Sequence, residues 1–408
     1  MIRKYGLFLG ICLFILITVP LCMAEDNPAA SERVYRLAYL SWQDGKSNLY
    51  VINSDGTGQI QLTNNGRDNY HPAWSPDGAK LLYLSLTAHS LFSSKYSLWV
   101  TAAEGTEQCE LSTDCEINIF PVWSPDGTQI LFIEKHDDKK YPVVSSPDGQ
   151  SKTVLKDYPL GSTFVNRLSW SADGTKILGV FRLDGKDALA IIDLNGATPV
   201  ILLDKNGDYI APSWSPDGSQ VAYAFNKPML GLFSSRQGLY IIPTAGGEAK
   251  FITGGEDIFN IVWAPDSTAI AFMRRFTSTS TDSKGYTTTK YNYTSYIVNI
   301  NDQKPRPKEL MDKANAAECV SWAPDASKLA YTGFFVLGVL PSGAKIYKIK
   351  VPYALGAPTW SPDGAWIACE GSSGLFTRTS IYLASADGKQ IIKLTNNGQD
   401  SNPVWAPN

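Results

Sequence analysis

Trp74-Ser75-Pro76-Asp77-Gly78 recurs unchanged at Trp123–Gly127, Trp214–Gly218 and Trp360–Gly364. Four altered copies stand at Trp170 (WSADG), Trp263 (WAPDS), Trp322 (WAPDA) and Trp405 (WAPN). Successive tryptophans are 49, 47, 44, 49, 59, 38 and 45 residues apart. A period in the forties with one tryptophan-anchored turn per repeat is the pattern of a β-propeller, each repeat forming one four-stranded blade. Ser-Pro-Asp-Gly suits a tight turn, because Pro arrives with φ already set and Gly accepts a positive φ. The tryptophan reads as a wedge between neighbouring sheets, where a ring buries about 150–250 Å². The Asp reads as a turn residue rather than a catalytic acid. Ser267 and Ala326 replace the glycine in two copies, which predicts strain of about 1 kcal/mol or a different turn.

The rest of each repeat fits the same plan. After Trp74 come Leu81–Leu84 as a second strand, Ser97–Thr101 as a third and Cys109–Ser112 as a short outer one. Later repeats place QILFIE, KILGVF, QVAYAF, AIAFMR, KLAYTG and WIACEG in the second-strand slot. The first repeat lacks a tryptophan strand: RLAYLS, NLYVINSDG and QIQLT match strands two, three and four. The missing strand is Asn402–Pro407, and its approach, Leu394-Thr-Asn-Asn-Gly-Gln-Asp400, matches Leu62-Thr-Asn-Asn-Gly-Arg-Asp68 before Trp74. The expected fold is all-β, a single propeller over residues 34–408 closed by the C-terminal strand joining the N-terminal blade. Closure removes sheet edges that invite aggregation. The count is eight blades; seven is the alternative, with the 38-residue interval marking a defective blade.

Composition agrees. The 408 residues exceed the size at which one core stops growing, about 250–300 residues, but a propeller grows by adding blades. A hydrophobic content of 44% with 33 Gly and 24 Pro suits short strands and tight turns. A net charge of −3 provides no basic stripe for a nucleic-acid partner. Residues 1–24 read as a signal peptide: Arg3 and Lys4, an apolar run from Leu7 to Val19, then Cys22-Met23-Ala24 before Glu25. Residues 25–33 follow as a linker. The expected location is extracytoplasmic, periplasmic or secreted; a membrane anchor through residues 5–21 is the alternative. Cys109 and Cys115 are close enough in sequence for a small disulfide loop, which an oxidising compartment permits. Cys319 and Cys369 read as buried thiols, with a bridge between them as the alternative.

The LTNNGxD…PxWSPDGxxLxY pattern with xLYxxxxDG resembles the TolB-like propeller repeat over nearly all of residues 34–408. The resemblance implies an exported, non-catalytic propeller with a protein partner. The family's namesake has six blades and an N-terminal α/β domain, for which the residues before 34 carry no pattern. The same repeats also resemble the propeller of prolyl-oligopeptidase-type enzymes.

Catalytic signatures are sparse. There is no G-x-S-x-G elbow; Gly371-Ser-Ser-Gly374 has the wrong spacing. His71, His89 and His136 are the three histidines and fall on one face by the strand count. They read as solvated loop residues, with a His-bound metal in a propeller lyase as the alternative. No catalytic residue, metal or cofactor is assigned. The loops between second and third strands open on the same side as the approaches to the first strands. Three carry an aromatic and a cation: Phe92 with Lys95, Phe233 with Arg236, and Phe376 with Arg378. They read as contact pairs, or as rings that cap their own blades. Asp68, Asp208, Asp257 and Asp400 lie five or six residues before tryptophans. They are placed around the channel mouth, holding a cation or polar ligand, or else serve as turn residues. The longest insertion, Phe276–Ser295, carries Tyr286 and Tyr291 and suits protein or glycan recognition; its alternative is a hairpin extension of the blade. The sequence thus points to a monomeric, non-enzymatic binder of a protein or cell-envelope polymer. The alternatives are a metal-dependent lyase and a sensor or secretion-accessory subunit.

Overall fold

The computed structural model describes residues 33–408 apart from 44, 90–93, 117–119, 138, 162–167, 205–207, 227–236, 256, 282–285, 311–316, 334, 342–346, 373, 375–377 and 397–398. The signal and linker assignments for residues 1–32 lie outside the described residues. Every regular element described is a β-strand, and all strand pairs are antiparallel.

The second and third strands are continuous apolar runs rather than alternating ones. Leu81, Leu82, Tyr83 and Leu84 are each at most 1% exposed. A strand reads this way when both faces of its sheet are covered, as when sheets stack side by side around an axis. Eight apolar clusters occupy the junctions between successive repeats. The cluster of Leu37, Tyr39 and Tyr50 with Ala368, Ile381 and Leu383 joins the two ends of the chain.

Closure follows the expected route. Asp400–Trp405 pairs with Arg36–Gln43, which is followed outward by Lys46–Asn53 and Ile60–Gln61. Three further sheets are simple four-stranded meanders. The remaining strands form two larger sheets. In one, the repeats led by Trp74 and Trp123 meet at the bridge between Cys115 and Glu134. Glu134 is buried there, accepts a hydrogen bond from Ser112 and pairs with Lys152 Nζ at 2.6 Å. In the other, Tyr347–Trp360 is a 14-residue strand that ends one repeat and begins the next. The interval of 38 residues is short because this fusion removes a connecting loop, not because a strand is missing.

The tryptophans do more than fill wedges. Each indole Nε1 donates to the carbonyl preceding the previous repeat's tryptophan: Trp123 to Ala73, Trp170 to Val122, Trp214 to Ser169, Trp263 to Ser213, Trp322 to Val262, Trp360 to Ser321, Trp405 to Thr359 and Trp74 to Val404. The distances run from 2.9 to 3.4 Å, and the cycle of eight closes on itself.

The motif Asp is a turn residue in the structure. Ser75 Oγ donates to Asp77 Oδ1, which also accepts from Ala79 N at 3.0 Å, and Lys80 N donates back to Ser75 Oγ at 2.9 Å. The serine hydroxyl and the Ala79 N–H hold the Asp77 carboxyl below the usual carboxylate range. Ser267 and Ala326 keep the glycine geometry, with φ of 60° and 58° beside 68° for Gly78, so these turns take the strain rather than another shape.

The disulfide expectation is corrected. Cys109 and Cys115 lie on one extended strand, Gln108–Cys115, which separates them by about 20 Å, whereas a bridge needs Cα atoms within about 7 Å. Cys319 and Cys369 are not bridged either.

Candidate binding face

The motif turns share one end of the strands. The opposite end carries the approaches to the first strands and the hairpins between second and third strands, and forms the approach face. Three residues before several tryptophans the first strand slips register, between Tyr70 and Ala73, Ile210 and Ser213, and Phe259 and Val262. His71, Ala211 and Asn260 sit in these bulges with φ of 52°, 49° and 50°, and Asn402 matches them at 52° in the closing strand. A bulge re-aims the side chain it holds, and a non-glycine residue there is uncommon. His, Ala and Asn share no sequence signal, so the recurrence was invisible before the fold.

The histidines stand apart from one another. The His71 ring lies 4.0 Å from Phe120, tilted by 41°, and burial lowers its pKa, which keeps it neutral at pH 7. His89 Nδ1 meets Ser94 Oγ at 2.8 Å, and His136 Nε2 meets Glu134 Oε2 at 3.1 Å. Among the described residues no three His, Cys, Asp or Glu side chains form a group that could hold a metal ion.

The four aspartates have different surroundings. Asp68 accepts from Ser47 N at 3.1 Å and lies 3.7 Å from Lys46 Nζ. Asp257 Oδ2 takes both Nε and Nη2 of Arg275, at 2.9 and 2.5 Å. Asp208 opens the strand Asp208–Trp214 opposite Asn226, and its side chain lies outside the described residues. Asp400 is 0% exposed and accepts from Thr395 Oγ1, while its Oδ1 has no partner among the described residues. Burial raises its pKa. A fully buried carboxyl does not face the channel mouth. Asp400 fills the position of Asn69 in the matching strand, five residues before tryptophan.

The Tyr-rich insertion is a hairpin. Ala269–Thr281 and Thr287–Asn299 pair from Ala269↔Asn299 to Thr281↔Thr287, but the inner neighbour stops at Arg274 and the outer one begins at Tyr296. The part from Arg275 outward is a two-stranded ribbon, about 20 Å long at 3.3 Å per residue. Tyr286 at its tip is 72% exposed. Tyr291 pairs with Thr277 within it, and its side chain lies outside the described residues. Phe92, Phe233, Arg236 and Phe376 are also outside them; Lys95 and Arg378 are exposed.

Two residues of this face escaped the sequence reading. Trp42 is 44% exposed and Phe120 is 50% exposed. With Tyr286 they are the large aromatics most exposed among the described residues, and all three stand on the approach face. Trp42 closes the run RLAYLSW, where outward alternation begins, and that was an available signal. Glu370 was legible as the acid inside WIACEG; it accepts from Asn402 N at 2.9 Å, and burial raises its pKa.

A sequence profile described as the TolB beta propeller domain matches residues 23–158 and 87–284, together more than half of the chain. No curated protein matches it. Among solved structures, a eukaryotic initiation factor is similar at 12% identity over 92% of this chain and 99% of that one, with a TM-score of 0.55. An oligogalacturonate lyase from Vibrio parahaemolyticus is similar at 14% identity over 86% and 97%, with a TM-score of 0.52. TolB from Acinetobacter baumannii aligns at 14% identity over 92% and 67%, with a TM-score of 0.41. At such identities a structural likeness shows the fold alone. On the profile match, carried by the tryptophan-led repeats described above, this chain belongs to the TolB β-propeller domain family.

Proposed function

We propose that this chain is an exported, non-enzymatic propeller that captures a protein or cell-envelope polymer on its approach face. The observation that carries the reading is the ribbon beyond Arg274, which stands clear of the sheet it grows from. A blade gains no core from such an extension, and an isolated two-stranded ribbon is marginal in water. Its open edges and hydroxyl-rich strands offer main-chain and side-chain hydrogen bonds to an extended partner. Trp42 and Phe120 add exposed rings on the same face, and aromatic residues are favoured anchors at interfaces. The N-terminal run from Leu7 to Val19 supports export.

The test is capture from an envelope extract by the purified mature chain and by a variant with residues 276–292 replaced by Asn-Gly, a two-residue turn that closes the hairpin on the Arg275–Tyr293 pair. The variant is expected to keep its melting temperature within a few degrees and to lose the captured partner. Capture unchanged by the replacement refutes the ribbon's role. Stoichiometric transition metal in pure protein, lost on changing His71, His89 and His136, refutes the non-enzymatic reading.

A further inference from the structure

The junction between the repeats led by Trp263 and Trp322 differs from the rest. Among the described residues its buried apolar cluster is Ala271, Leu310, Leu329 and Leu340, with Ile297, Val320 and Trp322 packed against it. A cavity of about 340 Å³ opens there, within the range of small-molecule sites, about 300–1,000 Å³.

The internal repeats show how it arises. In other described repeats the third and fourth strands are joined by tight glycine turns, such as those closed by Gly105, Gly196 and Gly388. Here the connection is Asn301-Asp-Gln-Lys-Pro-Arg-Pro307, with two prolines and no glycine. Its Asp302 and Arg306, with Lys308 beyond it, reach the cavity. Both neighbouring motif turns have also lost their serine, to Ala264 and Ala323. Asp266 is therefore freed from the serine clamp seen at Asp77, and among the described residues it bonds only Thr268, at 3.0 and 2.8 Å. Arg306 and Lys308 have no ion-pair partner among the described residues. Trp322, half-buried, forms an apolar wall. Departures from the repeat thus converge on one place, where they collect opposite charges beside an aromatic surface.

We propose that this cleft binds a small zwitterion of amino-acid size with an apolar side chain. Arg306 and Lys308 would take its carboxylate, for which a guanidinium offers paired donors. Asp266 and Asp302 would take its ammonium group, and the side chain would lie against Trp322. A ligand of one charge leaves one pair of cavity charges unanswered. The cleft lies on the motif-turn side, so it is separate from the approach face.

Calorimetric titration of the mature chain with L-leucine and L-phenylalanine tests this. Saturable binding is expected, at least tenfold weaker for 4-methylpentanoate, isoamylamine and N-acetyl-leucinamide. The double variant R306A/K308A is expected to bind the amino acids at least tenfold more weakly while melting as the parent does, since both side chains are exposed. If that variant is unstable, Asp302→Asn serves instead with the same expected loss. Absence of saturable binding to either amino acid overturns the proposal, as do undiminished binding by a folded variant and equal binding of a single-charge analogue.

Discussion

Deleting residues 402–408 should harm the fold out of proportion to their number. Trp405 is 7% exposed and packs among Tyr35, Leu37, Tyr39 and Leu383; losing such a ring costs about 3–5 kcal/mol. The deletion also removes two links of the indole cycle, Trp405 to Thr359 and Trp74 to Val404. Each hydrogen bond is worth about 1 kcal/mol, and the indole N–H of Trp74, left without its acceptor, adds a penalty of about 1–3 kcal/mol. Ala406 N to Arg36 O and Asn402 N to Glu370 are lost as well. The sum reaches or exceeds about 6 kcal/mol, against a whole-domain stability of about 5–15 kcal/mol. Arg36–Gln43 is left with an open edge, and open edges aggregate. Size-exclusion chromatography and thermal melting of the truncated mature chain are the assays, with trimming of residues 25–32 as the control expected to change little. A truncated chain that stays monomeric with an unchanged melting temperature refutes closure by this strand.

Asp400→Asn should stabilise the protein at neutral pH by about 1 kcal/mol, because Asn69 at the matching position donates to Ser47 O at 2.8 Å and Thr63 Oγ1 at 3.2 Å. The folded Asp400 has a raised pKa, so the parent's stability from this group is greatest below the unfolded value and falls as pH rises through the folded one. Melts from pH 3 to pH 8, at roughly the range where carboxyls titrate, should show that slope reduced in the variant; an unchanged slope and midpoint refute the assignment. Ala326→Gly should raise stability by about 1 kcal/mol by relieving a left-handed alanine, read by urea melts; a loss of stability would show that the turn is unstrained. Burial pushes the Cys115 and Cys369 thiols up to about 12, so in native protein an aromatic disulfide reagent should label Cys109 and spare these two until unfolding, as peptide mapping would reveal.

Much of the architecture was legible because it repeats. Trp-Ser-Pro-Asp-Gly sets a turn through local chemistry alone: a fixed φ at Pro, a left-handed Gly, and a Ser–Asp clamp within the same few residues. The match of Leu394–Asp400 to Leu62–Asp68 placed the last strand with the first, since equal segments form equal structures. Apolar runs at equivalent positions placed the second strands, while their burial on both faces was seen only in the fold. What depends on neighbours distant in sequence was not legible. The carbonyl that receives each indole N–H belongs to another repeat, and the bulge residues His71, Ala211, Asn260 and Asn402 share a backbone state without sharing a residue type. Asp400 and Asp68 look alike in sequence, yet one position separates them along the strand, and alternation puts Asp400 inside and leaves Asp68 beside Lys46. Cys109 and Cys115 look bridgeable until the chain between them is seen to be extended. Local turn and strand identity come from the residues themselves, whereas side-chain burial and partnership come from which repeats the ring sets side by side.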